Sequence, residues 1–232
     1  MFGQNEVTKS MDYQGRYYVK EIFSTIQGEG PHAGRSATFI RLAGCNLRCH
    51  FCDTDFSLEG SARLTVVEIL KQTVLNGHEL VVITGGEPLL QDLTELVSTL
   101  LYTDHEVQIE TAGTLAPPPI YDRRFTIVVS PKTGSIHPEI AQRAAAFKYL
   151  TKAGAFSEAD GLPNWSTQDP TRAAKIYRPP VSFPKSQIYL QPLDETHVNP
   201  AYTKQNVDAA VSLCRKFGYR LSLQLHKILS LP

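Results

Sequence analysis

The stretch that decides the fold reads Ala43-Gly44-Cys45-Asn46-Leu47-Arg48-Cys49-His50-Phe51-Cys52-Asp53-Thr54. It holds three of the four cysteines within eight residues, at the spacing C-x3-C-x2-C, and the fourth is the distant Cys214. Three thiolates on one loop can hold three irons of a [4Fe-4S] cluster and leave the fourth iron open to a small molecule. The spacing therefore predicts a reactive cluster on Cys45, Cys49 and Cys52.

Two other interpretations of these cysteines remain open. A structural zinc site needs four ligands in a tetrahedral array, so His50, His78 or Cys214 would have to complete it. None of these three residues has the paired spacing that zinc ribbons and fingers use. Such a site would make the chain a non-catalytic, zinc-stabilised binding module. In the third interpretation, the cysteines are reduced thiols that bind no metal.

Composition limits the classes of protein that need to be considered. With 232 residues, 42% of them hydrophobic, the chain can bury one sizeable core. Lysine plus arginine balance aspartate plus glutamate at 23 each, so no net charge attracts nucleic acid or an anionic membrane. No apolar run is long enough to span a bilayer and no signal peptide is evident. Because reduced thiols suit a reducing compartment, we expect a cytoplasmic protein without a membrane or a direct nucleic-acid partner.

Hydrophobic periodicity predicts alternating strands and helices after a polar start. Residues 1–16 are expected to form a flexible N-terminal arm, and residues 17–232 a single domain. Helices are predicted from Val66 towards a cap at Gly77, from Pro88 through Leu100, and over residues 200–217. Strands are predicted at residues 17–23, 36–42, 80–84, 107–111, 125–130, 147–150, 187–191 and 220–225.

The order of these elements predicts a parallel sheet with incomplete helical cover. Strand, turn and helix repeat as βα units, and the cysteine loop follows a strand, where barrel enzymes carry their chemistry. Residues 112–124 include Pro117, Pro118 and Pro119, which cannot continue a helix. Residues 153–186 show only a short helical possibility at 171–176 and are expected to be an insertion or lid. The predicted fold is α/β, an incomplete, open (β/α) barrel.

A second motif, Gly85-Gly86-Glu87-Pro88, follows the 80–84 strand. Paired glycines permit positive φ and close approach of the backbone to a ligand, and a carboxylate can accept hydrogen bonds from an ammonium. An isolated tetrapeptide of this kind could equally be an ordinary turn. Its position some thirty residues after the cysteines favours a binding role.

The cysteine spacing, the aromatic Phe51 and the Gly-Gly-Glu-Pro motif resemble the radical S-adenosylmethionine (SAM) enzymes. The resemblance implies that SAM binds the open iron and is cleaved by one electron to a 5′-deoxyadenosyl radical. It also implies SAM contacts from residues on the cysteine loop and at strand ends. These are Phe51, Cys52, Asp53, Gly86, Glu87, Ser130, Pro131, Lys132 and Gln191.

Further segments closely resemble the 7-carboxy-7-deazaguanine synthases: Ile26-Gln27-Gly28-Glu29-Gly30, residues 39–47 and Cys52-Asp53-Thr54. This resemblance implies a carbon-nitrogen lyase that contracts 6-carboxy-5,6,7,8-tetrahydropterin to 7-carboxy-7-deazaguanine and releases ammonia, in the pathway to queuosine in tRNA and related deazapurines. It also implies Mg²⁺ on the Thr54 hydroxyl, a homodimer, and an electron donor such as flavodoxin or ferredoxin. A glycyl-radical activating enzyme is the alternative, but the Gln-Gly-Glu-Gly loop and Cys-Asp-Thr argue against it.

Substrate contacts are expected from the chemistry of a carboxypterin. Its edge alternates donors and acceptors, and its carboxylate calls for a guanidinium. The expected contacts are Ile26, Gln27, Gly28, Glu29 and Arg41, and the resemblance adds Thr84, His226 and the terminal carboxylate of Pro232. The alternatives are a solvated turn for the Gln27 loop, a surface ion pair for Arg41, a cap or packing role for Thr54 and a structural role for His226. No catalytic residue is expected beyond the cofactor and substrate ligands, and Cys214 reads as a small buried residue of the last helix.

Overall fold

A computed structural model describes residues 6–9, 11–52, 54–169 and 171–232. Within these residues the strands are β1 (Tyr17–Ile26), β2 (Ser36–Leu42), β3 (Ala62–Leu64), β4 (Leu80–Gly85), β5 (Glu106–Thr111), β6 (Phe125–Val129), β7 (Ala146–Thr151), β8 (Ile188–Pro192) and β9 (Arg220–Leu221). The helices are α1 (Val66–Asn76), α2 (Thr94–Tyr102), α3 (Pro138–Arg143), α4 (Pro200–Phe217) and α5 (Leu225–Leu229).

All nine strands form one sheet in the order β3-β1-β2-β4-β5-β6-β7-β8-β9. β1 pairs antiparallel with β2 and β3, and the pairs from β2 through β9 are parallel. The edge strands β3 and β9 do not pair with each other. The sheet is therefore not closed, which confirms the predicted incomplete, open barrel.

The central strands are buried on both faces, as parallel strands usually are. One apolar cluster packs α1 and α2 against the sheet, and a second lies between α4 and the later strands. α1 begins with a capping box between Thr65 and Glu68 and ends at Gly77, whose φ is +71°. These local signals explain why its predicted start and cap are correct.

Other predicted features are also confirmed. β2 and α4 have the predicted bounds. In β2, Ile40 and Leu42 are buried and Phe39 is partly exposed, as the alternation requires. Residues 112–124 form no helix, as the prolines predict.

The predicted helix at Pro88 begins later than expected. Pro88–Leu90 is a short 3₁₀ turn, and α2 starts at Thr94. Gln91 interrupts the helix because its backbone is extended and its side-chain amide donates to the carbonyl oxygens of Tyr18 and Ala43. Tertiary hydrogen bonds to the neighbouring strand thus override the helical pattern.

Two further expectations near the end of the chain are wrong. No helix forms at residues 171–176. The Ser166 amide donates to the Arg172 carbonyl oxygen, and the Ala174 amide donates to the Asn164 carbonyl oxygen. These bonds pair the stretch with an earlier part of the 153–186 segment. The last strand is only Arg220–Leu221, and residues 225–229 form α5. The short elements β3 and α3 were not predicted, because neither contains two full periods of its pattern.

The described part of the N-terminal arm forms no helix or strand, yet it contacts the domain. The Thr8 amide donates to the Cys45 carbonyl oxygen at 2.8 Å. The Tyr13 hydroxyl donates to Glu95 at 2.8 Å, and its ring meets Tyr17 at a centroid distance of 4.9 Å. Arm residues therefore contact the cysteine loop, and the division into a flexible arm and a single domain stays a prediction. In the part of the chain that the structure covers, no helix is long and apolar enough to cross a membrane.

Candidate active site

The three cysteines of the loop meet at a cavity of about 610 Å³ at the carboxyl ends of the parallel strands. Its volume is in the range of small-molecule sites. The predicted site residues in its wall are Cys45, Cys49, Phe51, Cys52, Thr84, Gly86, Ser130, Lys132 and Gln191. Residues far apart in sequence therefore share one cavity, as the barrel interpretation requires.

The thiols of the loop receive hydrogen bonds from the protein. The Leu47 amide lies 3.5 Å from Cys45 Sγ, and Gln168 Nε2 lies 3.2 Å from Cys49 Sγ. Burial raises the pKa of the Cys45 thiol to about 12. A thiolate at Cys45 therefore needs a nearby cation, and a coordinated metal provides one.

Other arrangements of the thiols are less well supported. Cys214 is buried in α4 among apolar side chains, as predicted. Among the residues with described positions, no three His, Cys, Asp or Glu side chains converge where one metal ion could be held.

The glycine pair is needed for packing inside the protein. Gly85 has a φ of +140°, and a Cβ on it would lie 2.1 Å from the Leu42 carbonyl oxygen. A Cβ on Gly86 would lie 2.1 Å from the Gly44 carbonyl oxygen. The close approach in the structure is therefore to the backbone just before Cys45, and the predicted approach to a ligand stays a prediction, although Gly86 lines the cavity.

Glu87 is fully buried and does not line the cavity. Its carboxylate accepts hydrogen bonds from the Thr111 hydroxyl at 2.7 Å, the Ala112 amide at 2.8 Å and the Leu89 amide at 3.1 Å. Burial raises the pKa of Glu87. The side chain joins the turns after β4 and β5, so its predicted contact with an ammonium remains a prediction.

The Ser-Pro-Lys turn follows β6, and both of its polar residues line the cavity. Lys132 Nζ donates to the Ser130 carbonyl oxygen at 2.9 Å and to the Ser130 hydroxyl, while Pro131 is buried between them. Burial lowers the pKa of the Lys132 ammonium. The turn thus presents a hydroxyl and a cation to the cavity.

Sequence reasoning missed a charged pair in the cavity wall, Glu110 on β5 and Lys148 on β7. Lys148 is only 6% exposed and pairs with Glu29 and, at 3.4 Å, with Glu110. Burial disfavours charge on both partners, but their pairing outweighs it: the pKa of Glu29 is lowered and that of Lys148 is raised. The signal that could have found Lys148 is a charged residue among the apolar residues of β7, which is rare unless it is paired. β5 gives no such signal for Glu110, because its residues alternate between polar and apolar.

The Gln27 loop contacts both members of this pair. Gln27 and Glu29 are 2% and 9% exposed, so the solvated-turn alternative is wrong. Gln27 Nε2 donates to Glu110 at 3.0 Å, and Glu29 accepts from Gln191 at 3.0 Å and Gln224 at 2.9 Å. Both side chains are thus occupied within the protein, and direct substrate contacts from this loop, including Ile26 at the end of β1, remain predictions.

Arg41 and Thr54 lie together outside the cavity wall. Arg41 Nε pairs with Glu21 at 2.6 Å, and Arg41 Nη1 donates to the Thr54 hydroxyl at 3.3 Å. The ion pair that was the alternative for Arg41 is therefore present. Asp53, a predicted SAM contact, lies outside the described residues.

The tail folds back on the Gln27 loop. His226 lies in α5, whereas the sequence had placed it at the end of a strand, and a Cβ on Gly28 would lie 2.6 Å from its Nδ1. Burial lowers the pKa of His226. Pro232 is exposed, and its carbonyl oxygen accepts from the Thr25 hydroxyl at 3.0 Å. Neither His226 nor Pro232 lines the cavity.

Comparisons with known proteins agree with this geometry. The model of the radical SAM superfamily matches residues 39–125. A 7-carboxy-7-deazaguanine synthase of Rhodospirillum rubrum is 42% identical over the whole of both chains, and one of Hyperthermus butylicus is 34% identical over 92% of this chain and 93% of the relative. The crystal structure of QueE from Escherichia coli has the same fold, with a TM-score of 0.66 and 24% identity over 91% of this chain and 95% of the other. The chain therefore belongs to the family of 7-carboxy-7-deazaguanine synthases, within the radical SAM superfamily.

Proposed function

We propose that the chain is a radical SAM lyase that contracts 6-carboxy-5,6,7,8-tetrahydropterin to 7-carboxy-7-deazaguanine with release of ammonia. The observation that carries this proposal is the 42% identity over both full lengths with a relative of that name. The cavity lined by three thiols supports it. The product would enter the pathway to queuosine and related deazapurines.

The residues present fit a [4Fe-4S] cluster. Cys45, Cys49 and Cys52 form no disulfide and line one cavity, and N–H donors are directed at two of their sulfurs. When bound, the cluster and SAM supply one electron and a radical that abstracts hydrogen. The protein must then hold the reactants in place and keep water away from them.

SAM is zwitterionic at its methionyl end, and the cavity wall offers matching groups. Lys132 and Ser130 present a cation and a hydroxyl. Gln191 is 4% exposed, and its Oε1 accepts no hydrogen bond from the described residues. This buried acceptor fits an ammonium, and Phe51 and Gly86 add apolar and backbone surface.

The pterin would lie against Glu110 and Lys148, with Thr84 and Gln224 nearby in the wall. A carboxylate can accept from the N–H groups of the pterin edge, and an ammonium can donate to its carbonyl. Glu29 and Gln27 fix these two groups in position before substrate arrives, which reduces the ordering that binding requires. Further substrate contacts are proposed for His226, Arg41 and Pro232, which do not line the cavity.

Thr54 fits Mg²⁺ as a single protein ligand. Its hydroxyl oxygen accepts from Arg41, and Mg²⁺ commonly takes most of its ligands from substrate and water. Arg41 beside it would pair with the substrate carboxylate. We further propose a cytoplasmic homodimer reduced by a flavodoxin or ferredoxin, with no nucleic acid bound directly.

The test is anaerobic incubation of the reconstituted protein with SAM, reductant, Mg²⁺ and carboxytetrahydropterin, read by mass spectrometry. We expect 7-carboxy-7-deazaguanine and 5′-deoxyadenosine. Deoxyadenosine without the deazaguanine would retain the radical SAM chemistry and reject the substrate. A colourless protein that contains zinc would instead favour the binding module.

A further inference from the structure

The segment of residues 153–186 covers one side of the cysteine loop. The His50 amide donates to the Thr167 carbonyl oxygen at 3.0 Å. The Trp165 ring meets the Phe51 and His50 rings at centroid distances of 5.5 Å and 5.8 Å. The segment is therefore part of the cluster-binding region as well as a cover over it.

Gln168 makes the most specific of these contacts. Its Oε1 accepts a hydrogen bond from the Arg48 amide at 2.8 Å. Because a backbone amide can only donate, this bond fixes the orientation of the side-chain amide and leaves Nε2 facing the loop. Nε2 then donates to Cys49 Sγ at 3.2 Å and to the Thr167 hydroxyl at 2.8 Å.

The Thr167 hydroxyl in turn donates to the Lys132 carbonyl oxygen at 3.0 Å. Thr167 is buried, so this contact anchors the segment to the turn after β6. Gln168 itself is exposed, which places its amide between Cys49 and solvent. Both N–H groups and the carbonyl oxygen of the amide are engaged, so the side chain is held in one geometry.

We propose that Gln168 is a positioning residue that holds Cys49 and raises the reduction potential of the cluster, an inference that rests on the proposed function. Hydrogen bonds to cluster sulfurs are among the factors that set the potential. The reduced cluster carries one more negative charge than the oxidised cluster. A donor at the Cys49 thiolate therefore stabilises the reduced form more than the oxidised form.

The experiment is a redox titration of the anaerobically reconstituted protein, followed by electron paramagnetic resonance of the reduced cluster. In Gln168→Leu we expect the equilibrium constant for reduction to fall about tenfold, which is about 59 mV for one electron. Gln168→Glu keeps an acceptor for the Arg48 amide but places a negative charge beside the thiolate. Its potential should therefore fall further than that of the leucine variant.

The matched control is Gln205→Glu, which makes the same charge change at an exposed position on α4. Its potential should equal that of the unaltered protein. Iron content and thermal unfolding are measured first, and if the leucine variant does not fold, the isosteric glutamate variant carries the test.

Two negative outcomes have different meanings. If the unaltered protein binds no iron-sulfur cluster, the proposed function fails. If it binds a cluster, and Gln168→Glu has the same potential and resonance spectrum as the unaltered protein, the role of Gln168 is overturned while the proposed function stands. Neither outcome requires a measurement of enzyme turnover.

Discussion

The two sides of the cavity differ in the polar groups that they carry and in how these groups are held. On one side the Lys148 ammonium pairs with the carboxylates of Glu29 and Glu110, and Gln191 and Gln224 donate hydrogen bonds to Glu29. On the other side the Leu47 amide and Gln168 donate to the sulfurs of Cys45 and Cys49, and burial raises the pKa of Cys45 to about 12. The first side is organised by the polypeptide alone, whereas on the second a thiolate at Cys45 needs a nearby cation such as a coordinated metal.

The largest effect is expected on the cysteine side. Alanine at any one of Cys45, Cys49 or Cys52 should abolish turnover, because each thiol would hold one iron of the cluster. Iron content and the charge-transfer absorption should fall in parallel. Cys214→Ser is the control, since this thiol is buried in α4 away from the cavity, and it should keep both. Equal losses in all four variants would undo the ligand assignment.

On the side of Glu110 and Lys148, we expect the largest loss of unfolding free energy in Lys148→Met. Removing the ammonium leaves two carboxylates near each other in the interior, a change that costs about 3–5 kcal/mol of unfolding free energy. Denaturant unfolding measures this cost. Lys204→Met is the control, because Lys204 pairs with Asp208 at the exposed surface, where a pair contributes about 0–1 kcal/mol.

The pH dependence of the same variant sharpens the comparison. In the unaltered protein the pKa of Glu29 is lowered, so its pairing stabilises the fold above the ordinary glutamate value, about 4.3, and this stability is lost as the pH falls through the folded value. In Lys148→Met burial acts without a counter-ion and should raise the pKa of Glu29. The stability deficit should therefore shrink as the pH is lowered from 7 towards 4. A deficit that stays constant over that range would contradict the pairing.

Gly86→Ala probes the junction between the cysteine loop and the sheet. The added Cβ would meet the Gly44 carbonyl oxygen at 2.1 Å, and overpacking of this kind costs about 1–3 kcal/mol. Because the displaced backbone leads directly into Cys45, iron content should fall as well. Gly60→Ala has open space around its Cβ and carries only the strain of a φ of +71°. It should lower stability slightly and keep the iron, and a Gly86 variant that behaves in the same way would show that the close packing is unimportant.

Thr54→Ala should have the smallest effect. We expect turnover to fall about tenfold, a loss of about 1.4 kcal/mol, with the cluster retained, because one protein ligand of Mg²⁺ would be missing. Turnover is measured over a range of Mg²⁺ concentrations. Thr54→Ser keeps the hydroxyl and should keep the dependence. If the alanine variant responds to Mg²⁺ as the unaltered protein does, the proposed role of Thr54 is wrong.

Much of the fold could be read from local patterns. β2, α1 and α4 were predicted well because each contains several periods of its pattern, and α1 and α4 end at glycines with positive φ. The start of α2 was misplaced because Gln91 bonds to residues more than forty positions away. The pairing within residues 153–186 was missed for the same reason.

The candidate site divides along similar lines. The three cysteines lie within eight residues, so their spacing alone indicates that they bind one metal cofactor. The sequence by itself therefore determined the cysteine side of the cavity. Glu29, Glu110, Lys148, Gln191 and Gln224 come from separate strands and loops, and nothing in their spacing along the chain shows that they meet. Glu29 and Gln191 were expected in the site, but only the tertiary structure decided that Glu110, Lys148 and Gln224 join them, because the order of strands in the sheet determines which strand ends become neighbours.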